Sequence, residues 1–233
     1  MNSQPEKPAL RLDWCSYQAA KYAVEHWHYS RVMPAGKAVI VGAWECGKFI
    51  GVVIFSRGAN NNLSKAYGLK QTECCELTRI ALTDHAAPVS RIAALALRFL
   101  KKQSPGVRLV VSYADPEQGH HGGIYQGMNW IYDGKSNGQA GFVVINGKTF
   151  HKRSVSSKYG NAKPSFLKTL GLDASYGPNL WKHRYLMPLD ADMRKRIIPL
   201  SKPYPKRAGS DTKDTAGHHP AEGGSTPTPA LPS

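Results

Sequence analysis

The sequence predicts an α/β fold with a mixed, mostly antiparallel central sheet flanked by helices, and three patterns predict it. Residues 38–44 (AVIVGAW) and 49–55 (FIGVVIF) are apolar, β-branched runs joined through Glu45-Cys46-Gly47-Lys48, which reads as a hairpin. Glu76 to Leu82, an amphipathic stretch from about Ser90, and VRLVVSY at 107–113 read as strand, helix, strand, a βαβ unit. FVVI-NG-KTFH at 142–151 is a second hairpin, because Asn-Gly suits the two positive-φ positions of a tight turn.

The remaining elements follow in chain order. Ser16 is placed to N-cap a helix whose Ala20, Ala23, Val24 and Trp27 share one face, ending near His28-Tyr29-Ser30. Residues 57–72 are polar and read as a loop. In the βαβ unit the helix carries Ile92, Leu95, Ala96 and Phe99 on one face. Asn129 to Asp133 reads as a strand, 164–170 as a short helix stopped by Gly171, and HRYLM at 183–187 as the last strand. From about Arg207 the chain is rich in Gly, Pro, Ser and Thr and nearly free of large apolar residues, so it cannot offset its ordering entropy by burial. The expected organisation is a single domain over 1–206 and a disordered tail over 207–233.

Charge narrows the function classes. The chain holds 31 Lys+Arg against 16 Asp+Glu, a formal +15, unevenly placed. Residues 1–145 carry 16 basic and 10 acidic side chains, residues 146–207 carry 14 and 3, and the tail carries 1 and 3. Clustering of this kind favours a polyanion as partner, since neutralised phosphates release their counterions. No apolar run of eighteen residues occurs, and MNSQPEKPALRLDWCS lacks the apolar core of a signal peptide, so a soluble protein of the cytoplasm is expected. Cys15, Cys46, Cys74 and Cys75 lack the two-residue spacing of a tetrahedral metal site and read as reduced and structural; whether a metal is bound stays open.

Chemistry concentrates in residues 112–132, which follow the C-terminal end of a buried-looking strand, where open α/β sheets bind ligands. This stretch holds Ser112, Asp115, His120, His121, Tyr125 and Tyr132 on a backbone loosened by Gly119, Gly122 and Gly123. The plainer alternative is a loop in which Asp115 caps a turn at Pro116 and the aromatics are core. His26, His28 and Tyr29 form a second cluster that could accept a proton, bind a metal or complement a helix dipole. As a metal site it is weak, because positions i and i+2 on a helix face different ways. Arg79 lies within the apolar strand ELTRIAL, where a charge demands a partner such as Asp115 or a phosphate. Residues 148–185 carry Lys148, Lys152, Arg153, Lys158, Lys163, Lys168, Lys182 and Arg184 among Tyr159, Trp181 and Tyr185, a composition suited to tracking phosphates and packing on sugars or bases. There is no helix-turn-helix or zinc-finger spacing.

The hairpin followed by strand, helix, strand resembles the core of the Gcn5-related N-acetyltransferase superfamily. More specifically, EHWHYS at 25–30, ELTRIAL at 76–82, SYADPEQGHHGGIYQGMNWIYDG at 112–134 and KHRYLMPL at 182–189 are similar to the Mom DNA-modification proteins of Mu-like bacteriophages, a likeness running over about residues 10–200. It implies conversion of adenine in double-stranded DNA to N6-carbamoylmethyladenine, protecting phage DNA from host restriction. Paired adenine hides its amino group, so the base is expected to flip into a pocket. Under this reading Asp115 or His26 takes the proton, Tyr125 and Ser112 position the donor or polarise its carbonyl, and Arg79 holds a phosphate or carboxylate. Trp130 and Tyr132 stack on the flipped base, and Lys148, Lys152, Arg153, Lys158, Lys163, Lys182 and Arg184 hold the duplex.

One departure bears on the donor. The acetyltransferase superfamily cradles the pyrophosphate of coenzyme A on a Gln/Arg-x-x-Gly-x-Gly/Ala loop, whereas this chain reads HAAPVSRIA at 85–93 without glycine, leaving the helix N-terminus at Ser90 and the cation Arg91 as its phosphate ligands. Three sources of the group stay open: a glycyl donor such as glycyl-tRNA, with tRNA then a partner beside DNA; acetyl-CoA; and chemistry assisted by iron or another metal. Two other functions remain, an acetyl-CoA-dependent N-acetyltransferase of protein or small-molecule amines, and a non-catalytic basic DNA-binding protein. No membrane partner is expected.

Overall fold

The computed structural model describes residues 8–34, 36–58, 62–136, 141–177 and 180–206, Arg153 by its backbone only; the tail expected to be disordered lies outside them. The chain divides into two compact units, one of the residues up to Gly134 together with those from His183 on, the other Lys135–Lys182.

The first unit is built on a seven-stranded sheet. Its strands are β1 (Leu10–Trp14), β2 (Ala38–Glu45), β3 (Lys48–Ser56), β4 (Cys74–Leu82), β5 (Leu109–Ala114), β6 (Ile131–Lys135) and, after the second unit, β10 (His183–Pro188). Their spatial order is β1-β2-β3-β4-β5-β10-β6. β1–β2, β2–β3, β3–β4 and β5–β10 pair antiparallel, and β4–β5 alone of these registers is parallel. The fold class is therefore the expected one.

Helices cover both faces. On one, α1 (Tyr17–Trp27), N-capped by Ser16 as its sequence suggests, buries Ala20, Ala23 and Val24 against Val52, Ile54 and Ala81. On the other, α2 (Val89–Gln103) buries Ile92, Ala96, Leu97 and Leu100 against Ile50, Val53, Phe55, Cys75, Leu77 and Val110. Each such aliphatic side chain contributes about 1.5–3 kcal/mol by leaving water. The sequence reading missed β1, a short edge strand without turn signals, and α6 (Ala191–Ile197), whose surface is mostly charged. The 57–72 region is also not featureless: 3-10 turns at Ser64–Tyr67 and Gln71–Glu73 pack Leu63, Tyr67 and Leu69 into a core with Met193 and Ile197.

Two irregularities in the sheet create the site. In β4 the partners of Ile54 and Phe55 are Arg79 and Leu77, so Thr78 is an extra residue, a β-bulge. Alternation is reset there: Cys75 and Leu77 before the bulge, and Ile80 and Leu82 after it, face α2, which turns Glu76 and Arg79 together onto the α1 face. The second irregularity is that β4 and β5 pair only between Cys74–Glu76 and Leu109–Val111. Beyond that point the Leu77 carbonyl is met not by β5 backbone but by the Ser112 hydroxyl, at 2.9 Å.

The second unit has its own three-stranded sheet, ordered β8 (Lys148–His151), β7 (Phe142–Ile145) and β9 (Ala174–Tyr176), with helices α4 (Lys152–Tyr159) and α5 (Pro164–Thr169). The expected hairpin turn is present, with φ of 50° at Asn146 and 75° at Gly147. Val143, Ile145, Phe150, Val155, Ala162, Leu167 and Ala174 form a separate core. Its charge is one-sided: Lys135, Lys148, Lys152, Arg153, Lys158, Lys163, Lys168 and Lys182 against a single acid, Asp173. Among the described residues no helix is long and apolar enough to cross a membrane.

Candidate active site and basic surface

The site lies in the first unit, where β4 and β5 part. Ser112 is fully buried on β5, and the phenol of Tyr125, on α3 (Gly123–Gln126), sits 2.7 Å from its oxygen. The Leu77 carbonyl can only accept, so Ser112 spends its single proton there and Tyr125 donates to Ser112. Burial pushes the Tyr125 pKa up to about 12, keeping the phenol protonated. Asp115, just beyond β5, caps the 3-10 turn Pro116–Gln118 by accepting the Glu117 N–H at 3.1 Å. This bond is the turn cap at Pro116 that the plainer reading of the residue expects.

The glycine loop that follows forms a 290 Å³ pocket with Tyr113, Ala114, Tyr125 and the two histidines 120 and 121. Gly122 has φ of +86°, and a Cβ there would overlap the Tyr185 ring at 2.3 Å, so only glycine fits. Tyr185 in turn donates to the His121 carbonyl at 2.6 Å, and Gln126 donates to the Tyr185 hydroxyl at 3.1 Å. These bonds pin the loop from below.

From the α1 side, the turn after the helix brings in His28 and Tyr29. Their rings stack at 4.4 Å, and Tyr29 meets His120 edge-on at 5.8 Å. Arg79 donates to the carbonyls of Val32 (3.1 Å) and Thr78 (2.7 Å), and burial lowers its pKa while the fields of Tyr29 and Glu76 oppose that shift. Tyr29 and Glu76 also act electrostatically on Tyr125, each raising its pKa.

His28, not His26, belongs to this cluster. His26 is exposed, stacked on Tyr22, and its Nδ1 donates to the Tyr22 carbonyl at 2.8 Å. A spacing of two positions, with only Trp27 between them, turns the rings to different sides, which is the geometry a helix imposes. The Ser30 backbone N–H donates to His28 Nδ1 at 3.1 Å, so the neutral ring carries its proton on Nε2. Desolvation, with the charges of Arg79 and His120, lowers the His28 pKa to about 3. The unfolded chain takes up a proton near 6.5 that the folded chain refuses. Stability is therefore full above about pH 6.5 and falls as pH drops from there towards 3, by at most about 1.4 kcal/mol per pH unit. Urea unfolding at pH 7, 6 and 5 should show this slope, and His28→Gln should flatten it; equal slopes in both proteins would refute the assignment.

Three other expectations are corrected. Trp130 is 0% exposed and Tyr132 is buried, packed in a ring cluster with Tyr125 and Tyr185 at 5.0–5.2 Å, so neither offers a face to a base. Tyr29, whose ring meets His120, is 44% exposed. Arg184 is not a surface cation but the partner of Asp133 at 2.7 Å, with Tyr67 donating to the same carboxylate oxygen. Arg184→Ala would leave a buried carboxylate without its cation and is expected to destabilise the protein by about 3–5 kcal/mol, readable as a fall in the urea midpoint.

The other basic candidates belong to the second unit. Lys148, Lys158, Lys163 and Lys168 are exposed; Lys152 and Lys182 are half-buried; the Arg153 side chain lies outside the described residues. Lys152 Nζ lies 5.2 Å from the ring centre of exposed Tyr176, and Lys135 Nζ 3.8 Å from that of Trp181.

Ser90 and Arg91 line a 460 Å³ groove beside the start of α2, with Pro88 and the apolar Ala94, Leu97, Met128 and Met187. The adjoining amides of Ala86 and Ala87 do not suit a pyrophosphate, because both donate to the Glu45 carboxylate at 2.8 Å. Among the described residues no three His, Cys, Asp or Glu side chains converge as metal ligands would.

The model of the Mom protein family matches residues 9–206. A curated relative, the methylcarbamoylase Mom of Escherichia phage Mu, is 25% identical over 205 residues, covering 84% of each chain. A solved structure from Acinetobacter baylyi ADP1, assigned as an acetyltransferase, is 12% identical, with a TM-score of 0.45 over 81% of this chain and 96% of the other.

Proposed function

The chain belongs to the Mom protein family, and from that premise we propose that it modifies adenine in double-stranded DNA to N6-carbamoylmethyladenine, shielding phage DNA from host restriction. The observation that carries the reading is the pocket lined by Tyr113, His120, His121 and Tyr125, with Tyr125 bonded to Ser112, Tyr29 against His120 and Asp115 at the start of the same loop, in a chain whose other unit is strongly cationic.

The exocyclic nitrogen of adenine is a poor nucleophile, because its lone pair is delocalised into the ring. In the transfer, the N6–C bond forms as the donor's leaving group departs with its bonding electrons, and one N6 proton must go to a base. Asp115 is that base, its position fixed by the turn it caps. Tyr29 stacks on the flipped adenine, and Arg79 faces the donor's anionic group. The buried Ser112–Tyr125 pair fixes the pocket wall that positions the donor. The lysines of the second unit grip the phosphates, without base readout.

The test is to digest DNA from cells expressing the protein and weigh its nucleosides. A deoxyadenosine heavier by one carbamoylmethyl group is expected; an unaltered deoxyadenosine pool would overturn the proposal.

A further inference from the structure

The loop between β4 and α2 is the place where a βαβ unit offers backbone amides to an anion, since the following helix contributes its unpaired N–H groups and the positive end of its dipole. In this protein an anion is already seated there, and it comes from the chain itself. Glu45 is the last residue of β2, and its carboxylate takes the Ala86 N–H on Oε2 and the Ala87 N–H on Oε1, both at 2.8 Å. The amide of Ala86, then that of Ala87 and the charges of His85 and Arg91, hold the Glu45 carboxyl below the usual carboxylate range, so it is ionised at neutral pH. The arm that delivers it is anchored. The β2–β3 turn reverses at Cys46 and Gly47 with φ of 48° and 82°, Cys46 N–H donates to the Ala9 carbonyl at 2.8 Å, and Thr83 N–H donates to the Ile50 carbonyl at 2.9 Å.

We propose that Glu45 is a built-in anion that closes the phosphate-binding position at the entry to α2, so that the group donor is not held there by a pyrophosphate. An incoming phosphate would meet two carboxylate oxygens where it needs two N–H donors, and the repulsion adds to the loss of the bonds. The chain departs from a glycine-rich cradle in two linked ways: alanines replace the glycines, and a carboxylate replaces the ligand. The groove lined by Ser90 and Arg91 remains, with largely apolar walls, while the amides of Ala86 and Ala87 are taken by Glu45. The inference deepens the transferase reading, on which it rests for the existence of a donor.

The experiment follows the backbone amide signals of Ala86 and Ala87 in the full chain while sodium pyrophosphate, and separately coenzyme A, is added. In the wild type both signals should stay still. In Glu45→Ala they should move saturably, with half-saturation at a pyrophosphate concentration at least tenfold lower than any wild-type response. Glu45→Gln, which keeps the volume and one acceptor oxygen but not the charge, should respond in the same direction if alanine loosens the hairpin. Wild type and both variants responding alike, or all remaining silent, would overturn the proposal. The outcome is separable from the transferase reading, because the nucleoside masses are read from DNA and the amide signals need none.

Discussion

Asp115→Asn is expected to lower DNA modification by about 10²–10⁴-fold, the usual contribution of a positioned general base. The substitution is informative because it spares the structure. Asparagine N-caps as well as aspartate, so the bond from Glu117 N–H to the side-chain oxygen survives, as do the bonds from Gln118 and His120 to the residue's own carbonyl. What disappears is the negative charge of the carboxylate and, with it, the capacity to take up a proton. The ratio of modified to unmodified deoxyadenosine in cellular DNA measures the effect, and a thermal midpoint within about a degree of wild type excludes unfolding as its cause. Modification at the wild-type level would remove Asp115 from the mechanism.

The second large effect concerns the cationic unit. Changing Lys148, Lys152, Lys158 and Lys163 together to glutamine should weaken DNA binding by about a thousandfold near 0.1 M salt and reduce the slope of log affinity against log salt by about 3 to 4, close to 0.9 per phosphate contact. Three of the four are exposed and the fourth only partly covered, so little stability is at stake. The loss should be nearly independent of DNA sequence, and modification should recover as salt is lowered. Asp115→Asn should show the opposite pattern, binding DNA normally without modifying it. An unchanged salt slope in the quadruple variant would place the duplex elsewhere on the protein.

The parts of this protein that were legible from its residues are those specified by neighbours in sequence. The hairpin at 142–151, the cap at Ser16 and the apolar faces of α1 and α2 follow from local propensity and period. The site was legible as a neighbourhood, since Ser112, Asp115 and Tyr125 belong to one stretch. Its completion was not, because Arg79 reaches it only through the bulge at Thr78, and no local pattern marks an extra residue in a strand. His26 and His28 are indistinguishable by composition; choosing between them requires knowing which side of α1 meets β4. Trp130 and Tyr132 looked like stacking platforms for the same reason that aromatics look like core, and only burial separates the two. Arg184 belonged to a basic run until Asp133, 51 positions earlier, was found beside it. Glu45 carried no signal at all, since an acid at a hairpin tip is ordinarily solvated.

The second unit leaves the sheet after β6 and returns at β10, its spatial neighbour, and at the junction Ser136 N–H donates to the Lys182 carbonyl at 2.7 Å while Lys182 N–H donates to the Ser136 hydroxyl at 2.8 Å. An excursion whose two ends are tied together can be lengthened, shortened or exchanged without moving the strands on either side, because closing a longer loop costs only about 0.6 kcal/mol per doubling of its length. The region is thus a cassette. A different segment grafted between residues 134 and 183 should leave the seven-stranded sheet standing.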